Sequence, residues 1–233
     1  MQNNMKSNYY LKARLFPAVL TSIPPLVLFN KFVAPTYASA LEGIFSILPT
    51  VTNATLSAAI VFLLVLINRF LAKEIFQKFY FSDEAKMPTT NMLLKSNTEL
   101  ENNIKQKIEE KTKEMFGIEL LPIDEEKSDE NRARKLIVTA VSQIRNCLRG
   151  NAMLLQHNIE YGFFRNLIGG SLLSIIVSVS LLCISYYCCD KTMIATSIIF
   201  VCIYLTPILL SKWLIKRHGE YYAKILYEQF LSL

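Results

Sequence analysis

Long apolar runs dominate the pattern of hydrophobic and polar positions along the chain. A helix that crosses a bilayer needs about 20 consecutive, mostly apolar residues. Four stretches reach that length, and they are 15–34, 54–72, 167–189 and 192–214. The pattern therefore predicts four transmembrane helices.

The four predicted spans form two pairs around a polar insert. Only Asp190 and Lys191 separate the third span from the fourth, and two residues are too few to cross a bilayer, so these spans form a tight hairpin. We predict an all-α integral membrane protein with a helical cytoplasmic insert between the second and third spans. Its regions are an N-terminal transmembrane pair (1–72), a cytoplasmic helical domain (73–165), a C-terminal transmembrane hairpin (166–214) and an amphipathic cytoplasmic tail (215–233).

The first span has a second interpretation as a signal peptide. Basic side chains precede it, namely Lys6, Lys12 and Arg14, and residues 38–40 (Ala-Ser-Ala) resemble a cleavage site. The adjacent Pro24 and Pro25 are unusual within such a segment. We therefore favour a retained span.

Charge distribution predicts the orientation of the spans. The chain is 52% hydrophobic, 19% charged and carries a formal net charge of +6. Residues 73–165 contain 15 Lys and Arg against 15 Asp and Glu, so the basic excess lies beside the spans. Lys and Arg gather on the cytoplasmic side of membrane proteins. We expect a bacterial inner-membrane protein with both termini in the cytoplasm, and a neutral insert that offers no net field for nucleic acid.

Two helices are predicted within the insert. A capping box at 96–99 (Ser-Asn-Thr-Glu) predicts the start of the first, which ends at Gly117. The second covers about 128–149 and ends at Gly150. It carries one apolar stripe at helical spacing, made of Ile137, Val141, Ile144 and Leu148. The economical arrangement of these elements is an antiparallel helical pair.

Catalytic chemistry has little support in the sequence. The two histidines, His157 and His218, have no serine or cysteine partner at a suggestive spacing, and phosphate loops, dinucleotide fingerprints and metal-type Cys/His sets are absent. The acidic run at 124–130 suits a solvated helix entry better than a cation site. Cys188 and Cys189 suit small apolar positions better than a disulfide. We predict no catalytic residue, no metal and no cofactor.

The third span carries a stripe of small residues. Gly170, Ser174 and Ser178 repeat every four residues, and Ser171 and Ser185 lie on the same flank. Small residues at this spacing let transmembrane helices approach closely. The stripe therefore predicts helix packing, with pore lining as the alternative.

Prolines interrupt two of the spans. Pro24 and Pro25 in the first span and Pro207 in the fourth have no backbone N–H and should kink their helices. A carbonyl freed at membrane depth must face protein or water rather than lipid. These prolines are candidate gating kinks, and plain packing kinks are the alternative.

Polar and aromatic residues connect the insert to the third span. Tyr161 and Arg165 lie in this connection, where they suit either the membrane interface or a coupling role between domain and membrane. The tail at 215–233 is amphipathic, and it suits either the lipid surface or a face of the insert.

Two strips of sequence resemble those of a group of small bacterial membrane proteins with paired spans around a cytoplasmic insert. The strips are 87–94 (Met-Pro-Thr-Thr-Asn-Met-Leu-Leu) and 158–166, which includes Tyr161-Gly162-Phe163 and Arg165-Asn166. The architecture also resembles the membrane effectors of bacterial anti-phage systems, such as those of Hailong and the four-span effectors of cyclic-nucleotide signalling. The resemblance implies self-assembly and disruption of the inner membrane in response to a nucleotide or oligonucleotide. The chain departs from these effectors in having no recognisable ligand-binding motif.

These observations lead to two functional hypotheses. We expect a homo-oligomeric inner-membrane channel or pore-forming effector, of the anti-phage type that the resemblance implies, gated through residues 73–165 by a ligand or partner. The alternative is a non-conducting membrane scaffold or receptor that recruits a cytoplasmic protein, because the insert offers amphipathic helix faces and no chemistry.

Overall fold

The computed structural model describes residues 2–37, 49–82 and 84–233, with the side chains of 2, 3, 36, 37 and 49–52 left out. All regular secondary structure in these ranges is helical. The α-helices are α1 (Gln2–Tyr10), α2 (Phe16–Thr21), α3 (Ile23–Leu28), α4 (Ala34–Tyr37), α5 (Pro49–Leu71), α6 (Lys78–Phe81), α7 (Pro88–Leu93), α8 (Asn102–Phe116), α9 (Ile123–Ser128), α10 (Glu130–Cys147), α11 (Ala152–Tyr187), α12 (Lys191–Leu209) and α13 (Ser211–Leu231). Wider π-helical turns at Leu11–Leu15, Phe29–Val33 and Ala72–Gln77 connect neighbouring helices.

Several of these helices are long and apolar enough to cross a membrane. They are Asn53–Phe81, Ala152–Tyr187 and Lys191–Leu209. A fourth candidate is a pair, Asn4–Thr21 and Ile23–Val33, bent by 43° at its break. The fold is therefore all-helical and compatible with a membrane location, with three spans or four if the bent pair counts as one. The possible cleavage site at 38–40 lies outside the described residues.

The chain folds into two compact units, each built from separated stretches of sequence. The head unit contains Met1–Lys6, Gln77–Tyr161 and Lys212–Leu233. The span unit contains Ser7–Phe76 and Gly162–Ser211. The unbroken helix α11 contributes its first ten residues to the head unit and the rest to the span unit.

The head unit has a continuous apolar core. The predicted stripe on α10 is confirmed, because its residues Ile137, Val141, Ile144 and Leu148 are all at most 4% exposed. The core also contains residues of α7, α8 and α13 and of the segment that precedes α9. Among them are Met92, Leu93, Ile108, Leu120, Ala223, Leu226, Tyr227 and Phe230. Of the two interpretations of the tail, the structure shows the one in which it packs against the insert.

One hydrogen bond illustrates how α13 is held in this core. The Tyr227 hydroxyl, buried at 1% exposure, donates to the carbonyl oxygen of Thr89 in α7. Burial raises the pKa of Tyr227 far above its ordinary value, so the hydroxyl keeps the proton that it donates. The resemblance strip at 87–94 is therefore largely a core element, in which α7 lies beneath the C-terminal helix.

The predicted capping box at 96–99 is wrong. The helix α8 begins at Asn102, preceded by Glu101 in an extended conformation with no side-chain cap. The backbone amides of Lys95 and Ser96 instead donate to the carboxylate of Glu126, at 2.7 and 3.0 Å. A tertiary acceptor thus takes the place of the local one. The predicted stop at Gly117 is confirmed, since this residue has the left-handed φ of +66° that favours glycine.

Candidate functional site

The span unit buries polar side chains between its helices. We call the following set the polar seam: Thr21, Asn68, Asn166, Ser171, Ser174 and Ser178. None of the six is more than 1% exposed. Ser185, further along α11, is also fully buried. The serine stripe predicted from the sequence therefore faces the interior of the chain itself.

Side chains of the seam bind carbonyl groups that prolines leave without a donor. Pro25 has no N–H for the carbonyl of Thr21, four residues earlier, and the Ser174 hydroxyl donates to that oxygen at 2.7 Å. In the same way, Pro24 frees the carbonyl of Leu20, which accepts from the Tyr204 hydroxyl at 2.6 Å.

The pattern recurs at a third proline. Pro17 offers no N–H to the carbonyl of Ala13, and Asn166 Nδ2 donates to that oxygen at 2.6 Å. The donors come from α11 and α12, whereas all three carbonyls belong to the bent helix pair Asn4–Thr21 and Ile23–Val33. The expectation that freed carbonyls face protein or water is thus met by protein at each of these positions.

A further bond joins the first span to α5. Asn68 Nδ2 donates to Thr21 Oγ1 at 2.8 Å, and Thr21 Oγ1 donates at the same distance to the carbonyl of Pro17. The Thr21 hydroxyl therefore both accepts and donates a hydrogen bond, and the Thr21 carbonyl accepts a third from Ser174. It lies at the centre of the seam, beside the 43° bend of the first span.

Glycines allow α11 to approach α5 closely. A Cβ atom built on Gly169 would lie 2.3 Å from the carbonyl oxygen of Asn68 and 2.8 Å from the Cβ of Ala72. One built on Gly170 would lie 2.3 Å from Asn68 Nδ2. A side chain has no room at either position. In the described structure, Gly169 and Gly170 therefore pack against another helix of the same chain.

The remaining candidate residues of the spans lie apart from the seam's centre. Pro207 lies inside α12, two residues before the helix ends at Leu209. The hydroxyls of Ser185 and Ser197 are buried and have no hydrogen-bond partner within the described part of the chain. Cys188 and Cys189, in the turn between α11 and α12, are free thiols.

That turn also carries an ion pair. Lys31 Nζ lies 2.5 Å from Asp190 Oδ2, and Asp190 caps α12 by accepting from the Met193 amide at 3.1 Å. The hydrogen bond from Lys31 holds the pKa of Asp190 below its usual value. The partner of Asp190 is thus a residue 159 positions earlier in the chain.

In the head unit, both histidines of the chain face one carboxylate. His157 Nδ1 lies 3.8 Å from Glu160 Oε2, and His218 Nδ1 lies 3.9 Å from the same oxygen. His157 and Glu160 are on α11, whereas His218 is on α13. Burial, the largest influence, lowers the pKa of His218, and Glu160 opposes that effect. Sequence reasoning missed this cluster because its members are about 60 residues apart.

The predicted coupling residues belong to different units. Tyr161 ends the head-unit part of α11, where its ring lies near Gly219. Arg165, one helical turn later, belongs to the span unit. The two residues thus occupy successive turns of one helix on either side of the division between units.

The head unit also has an open cleft of about 320 Å³. We call it the cationic cleft, because four of its lining side chains are basic: Lys86, Arg134, Lys212 and Lys216. Its other lining residues are Tyr80, Phe81, Pro88, Asn91, Asn97, Glu99 and Glu220. The neutral total charge of 73–165 concealed this local concentration, and helix α13 contributes two of the four basic groups.

Two charged residues of the head unit are buried for structural reasons. Lys105, 3% exposed, donates to the carbonyl oxygens of Leu94 and Asn97 and so fixes the segment before α8. Desolvation lowers the pKa of Lys105. Glu126, also 3% exposed, accepts the two amides of the same segment. The acidic run at 124–130 therefore supplies an intramolecular acceptor, and no metal-type cluster of His, Cys, Asp and Glu occurs among the described residues.

The chain was compared with protein-family models, curated proteins and solved structures. No protein-family model, curated protein or solved structure matches the chain.

Proposed function

We propose that the protein is a homo-oligomeric, ligand-gated channel or pore-forming effector of the bacterial inner membrane, with four spans and both termini in the cytoplasm. The apolar exterior of the span unit supports a lipid environment, since Phe62, Leu66 and Phe70 are each at least 58% exposed. A role in anti-phage defence is the part of this proposal that depends on the resemblance.

The polar seam is the observation that carries the channel proposal. A pore needs a polar surface, and hydroxyl and amide groups of the span unit are gathered inside it. In the described conformation these groups are sealed by one another and by proline-freed carbonyls. This conformation corresponds to a closed state. Opening would separate the first span from α11 and exchange these bonds for water.

Helix α11 is the proposed link between ligand and pore. It is unbroken from Ala152 to Tyr187, and residues of both units belong to it. A rotation or shift of its first turns by the head unit would be transmitted along its length, because a continuous α-helix is stiff. Tyr161 and Arg165 mark the stretch through which this movement would pass.

Ion flux from proteoliposomes tests the proposal. Purified protein should release K⁺ under at least one condition of a panel that includes adenine nucleotides and cyclic dinucleotides. Ser174→Ala removes the hydroxyl that binds the Thr21 carbonyl and should raise basal flux. Ser180→Ala is the matched control, because that exposed serine donates only to Ile176 on its own helix. Absence of conductance from all variants under all conditions would exclude a channel.

Native cysteines test the topology. Cys147 is exposed on α10 of the head unit, and Cys188 is exposed in the turn between α11 and α12. In variants that retain one cysteine, an impermeant maleimide added to intact spheroplasts should label Cys188 and spare Cys147. Lysis should make Cys147 reactive. Labelling of Cys147 before lysis would overturn the proposed orientation.

A non-conducting receptor or scaffold is the second candidate. One specific observation favours it: the seam's donors and the close glycine contacts of α11 are used within a single chain, so the spans need no aqueous path. Such a protein would co-purify with a stoichiometric soluble partner and show no conductance. Conductance without a partner would favour the channel.

A further inference from the structure

We propose that the cationic cleft binds the phosphate group of a small ligand. Insofar as this names the ligand class that gates the head unit, it rests on the proposed function. The binding itself depends only on the geometry of the head unit and is measured without reference to conductance.

Three elements supply the basic groups of the cleft: α13, the turn before α7 and, through Arg134, α10. Lys212, Lys216 and Glu220 follow one another at four-residue spacing along α13 and so share one face of that helix. Lys86 comes from the turn before α7. Separated stretches of the sequence therefore converge on the same space of about 320 Å³, a volume at the lower end of the usual range for small-molecule pockets.

The basic groups of the cleft differ in how many hydrogen bonds and ion pairs they already form within the protein. Arg134 donates to the carboxylate of Glu130, to the carbonyl of Ala85 and to Asn91 Oδ1, each at 2.7 Å. Asn91 in turn donates to the carbonyl of Lys86 at 3.0 Å. Arg134 thus fixes the position of the segment that carries Lys86.

The lysines retain capacity for a ligand. Lys86 and Lys212 form no ion pair among the described residues, and both are exposed. Lys216 pairs with Glu220 at 3.6 Å, which is long for a charge-assisted hydrogen bond. Three ammonium groups therefore line the cleft, and Arg134 fixes the segment that carries one of them, Lys86. This arrangement suits an oxyanion that accepts several hydrogen bonds at once.

The balance of charges indicates the size of the ligand's anionic part. Four basic and two acidic side chains line the cleft, so its excess charge is small. One phosphate or a short phosphate chain would neutralise it. A long nucleic acid would meet the carboxylates of Glu99 and Glu220 beside the lysines.

Two sources could supply the phosphate. A soluble nucleotide would enter from the aqueous side. Alternatively, a lipid headgroup would reach the cleft, because Lys212 follows the apolar helix α12 by three residues and Tyr80 and Phe81 end another apolar helix. Both sources share the same recognition chemistry, so the experiment needs one arm for each.

The test uses the full-length protein with Lys86→Gln and the double variant Lys212→Gln/Lys216→Gln. Lys107→Gln is the matched control, since Lys107 is an exposed lysine of the head unit outside the cleft. In the soluble arm, detergent-purified protein is titrated with ATP and with pyrophosphate by calorimetry. In the lipid arm, native mass spectrometry counts retained lipid after release from nanodiscs of phosphatidylcholine with or without phosphatidylglycerol.

Saturable binding in either arm should weaken at least tenfold in the double variant and remain unchanged in Lys107→Gln. Binding in the soluble arm identifies a free phosphate ligand, and binding in the lipid arm identifies a headgroup. Binding without conductance leaves this inference intact and counts against the channel. Equal behaviour of the wild type and the double variant in both arms overturns the inference, provided that all variants keep the wild-type thermal midpoint.

Discussion

The two units of the molecule differ in the polar side chains that they bury, because the span unit encloses many hydroxyl and amide groups in addition to apolar ones. The head unit encloses apolar side chains such as Met92, Ile108 and Tyr227, and its buried side chains also include the charged residues Lys105 and Glu126. The span unit encloses Ser174 and its neighbours and leaves large apolar side chains outside. The hydrophobic effect can organise the first arrangement in water. In the proposed membrane location the second would lose that driving force, and close packing and hydrogen bonds between helices would have to hold it together.

Because close packing is important in the span unit, we expect substitutions at the glycines of α11 to lower the stability of the protein most. Gly169→Ala would place its Cβ 2.3 Å from the backbone carbonyl oxygen of Asn68. Such overpacking costs about 1–3 kcal/mol, which outweighs the gain of about 1 kcal/mol in helix propensity. We expect a lower thermal midpoint in detergent. Gly162→Ala is the milder comparison, since its nearest contact is 3.0 Å away at the Ala13 side chain. Equal midpoints for both variants would show that close approach is not what holds the span unit.

The buried carboxylate of Glu126 is the corresponding test in the head unit. Glu126→Ala leaves the amides of Lys95 and Ser96 without their acceptor and should cost about 1–3 kcal/mol. Thermal unfolding followed through Trp213 measures the loss. The neighbouring Glu125→Ala should cost much less, because that side chain is exposed. A similar loss in both variants would indicate that the acidic turn acts through its charge alone.

A double-mutant cycle between Ser174 and Pro25 sharpens the account of the seam. Ser174→Ala should cost about 0.6 kcal/mol, the average for a hydrogen bond between membrane helices. Pro25→Ala restores a backbone N–H for the Thr21 carbonyl, so the same Ser174→Ala change should cost less in that background. The measurement is the thermal midpoint of the four proteins, with Ser180→Ala as control. An unchanged cost in the Pro25→Ala background would mean that the serine does not substitute for the missing amide.

The smallest expected effect concerns pH and the histidine cluster. Burial lowers the pKa of His218, with smaller contributions from His157 and Arg217, while Glu160 raises it. The folded state therefore binds this proton more weakly than the unfolded state does. Stability from this group is present above the ordinary histidine pKa of about 6.5 and declines as the pH falls below it.

His218→Gln should flatten the acid side of the stability profile, measured as the thermal midpoint between pH 7.5 and pH 5.0. Retention of His157 in this variant controls for the second imidazole beside Glu160. An acid decline as steep as that of the wild type would assign it to other groups.

Helix formation was the most predictable part of the fold. The stripe on α10 and the stop at Gly117 depend on local periodicity and backbone preference, which neighbouring residues encode directly. The start of α8 was not predictable in the same way. Ser96 and Glu99 satisfy the local pattern, but Glu126, 30 residues away, binds the Ser96 amide, and Asn97 Oδ1 accepts from the Glu99 amide.

The sequence predicted that the residues of the polar seam need neighbouring helices and hydrogen-bond donors, but it did not predict which helices supply them. A repeat of small residues requires a helix neighbour, and a proline-freed carbonyl requires a donor. Which helix supplies that neighbour depends on contacts across about 150 residues of sequence, as between Ser174 and Thr21. The cationic cleft was not predictable from the sequence. A charge count over one region of sequence does not show which basic residues from different regions come together on folding.

The sequence alone thus determined that the chain is helical, that several helices are apolar enough for a membrane, and where α10 places its buried face. These properties follow from the order of neighbouring residues. Only the tertiary structure decided that Ser174, Tyr204 and Asn166 serve the carbonyls of the first span, and that the C-terminal helix completes the head unit. The reason is that hydrogen bonds and packing depend on distance in space, which residues far apart in the chain acquire only on folding.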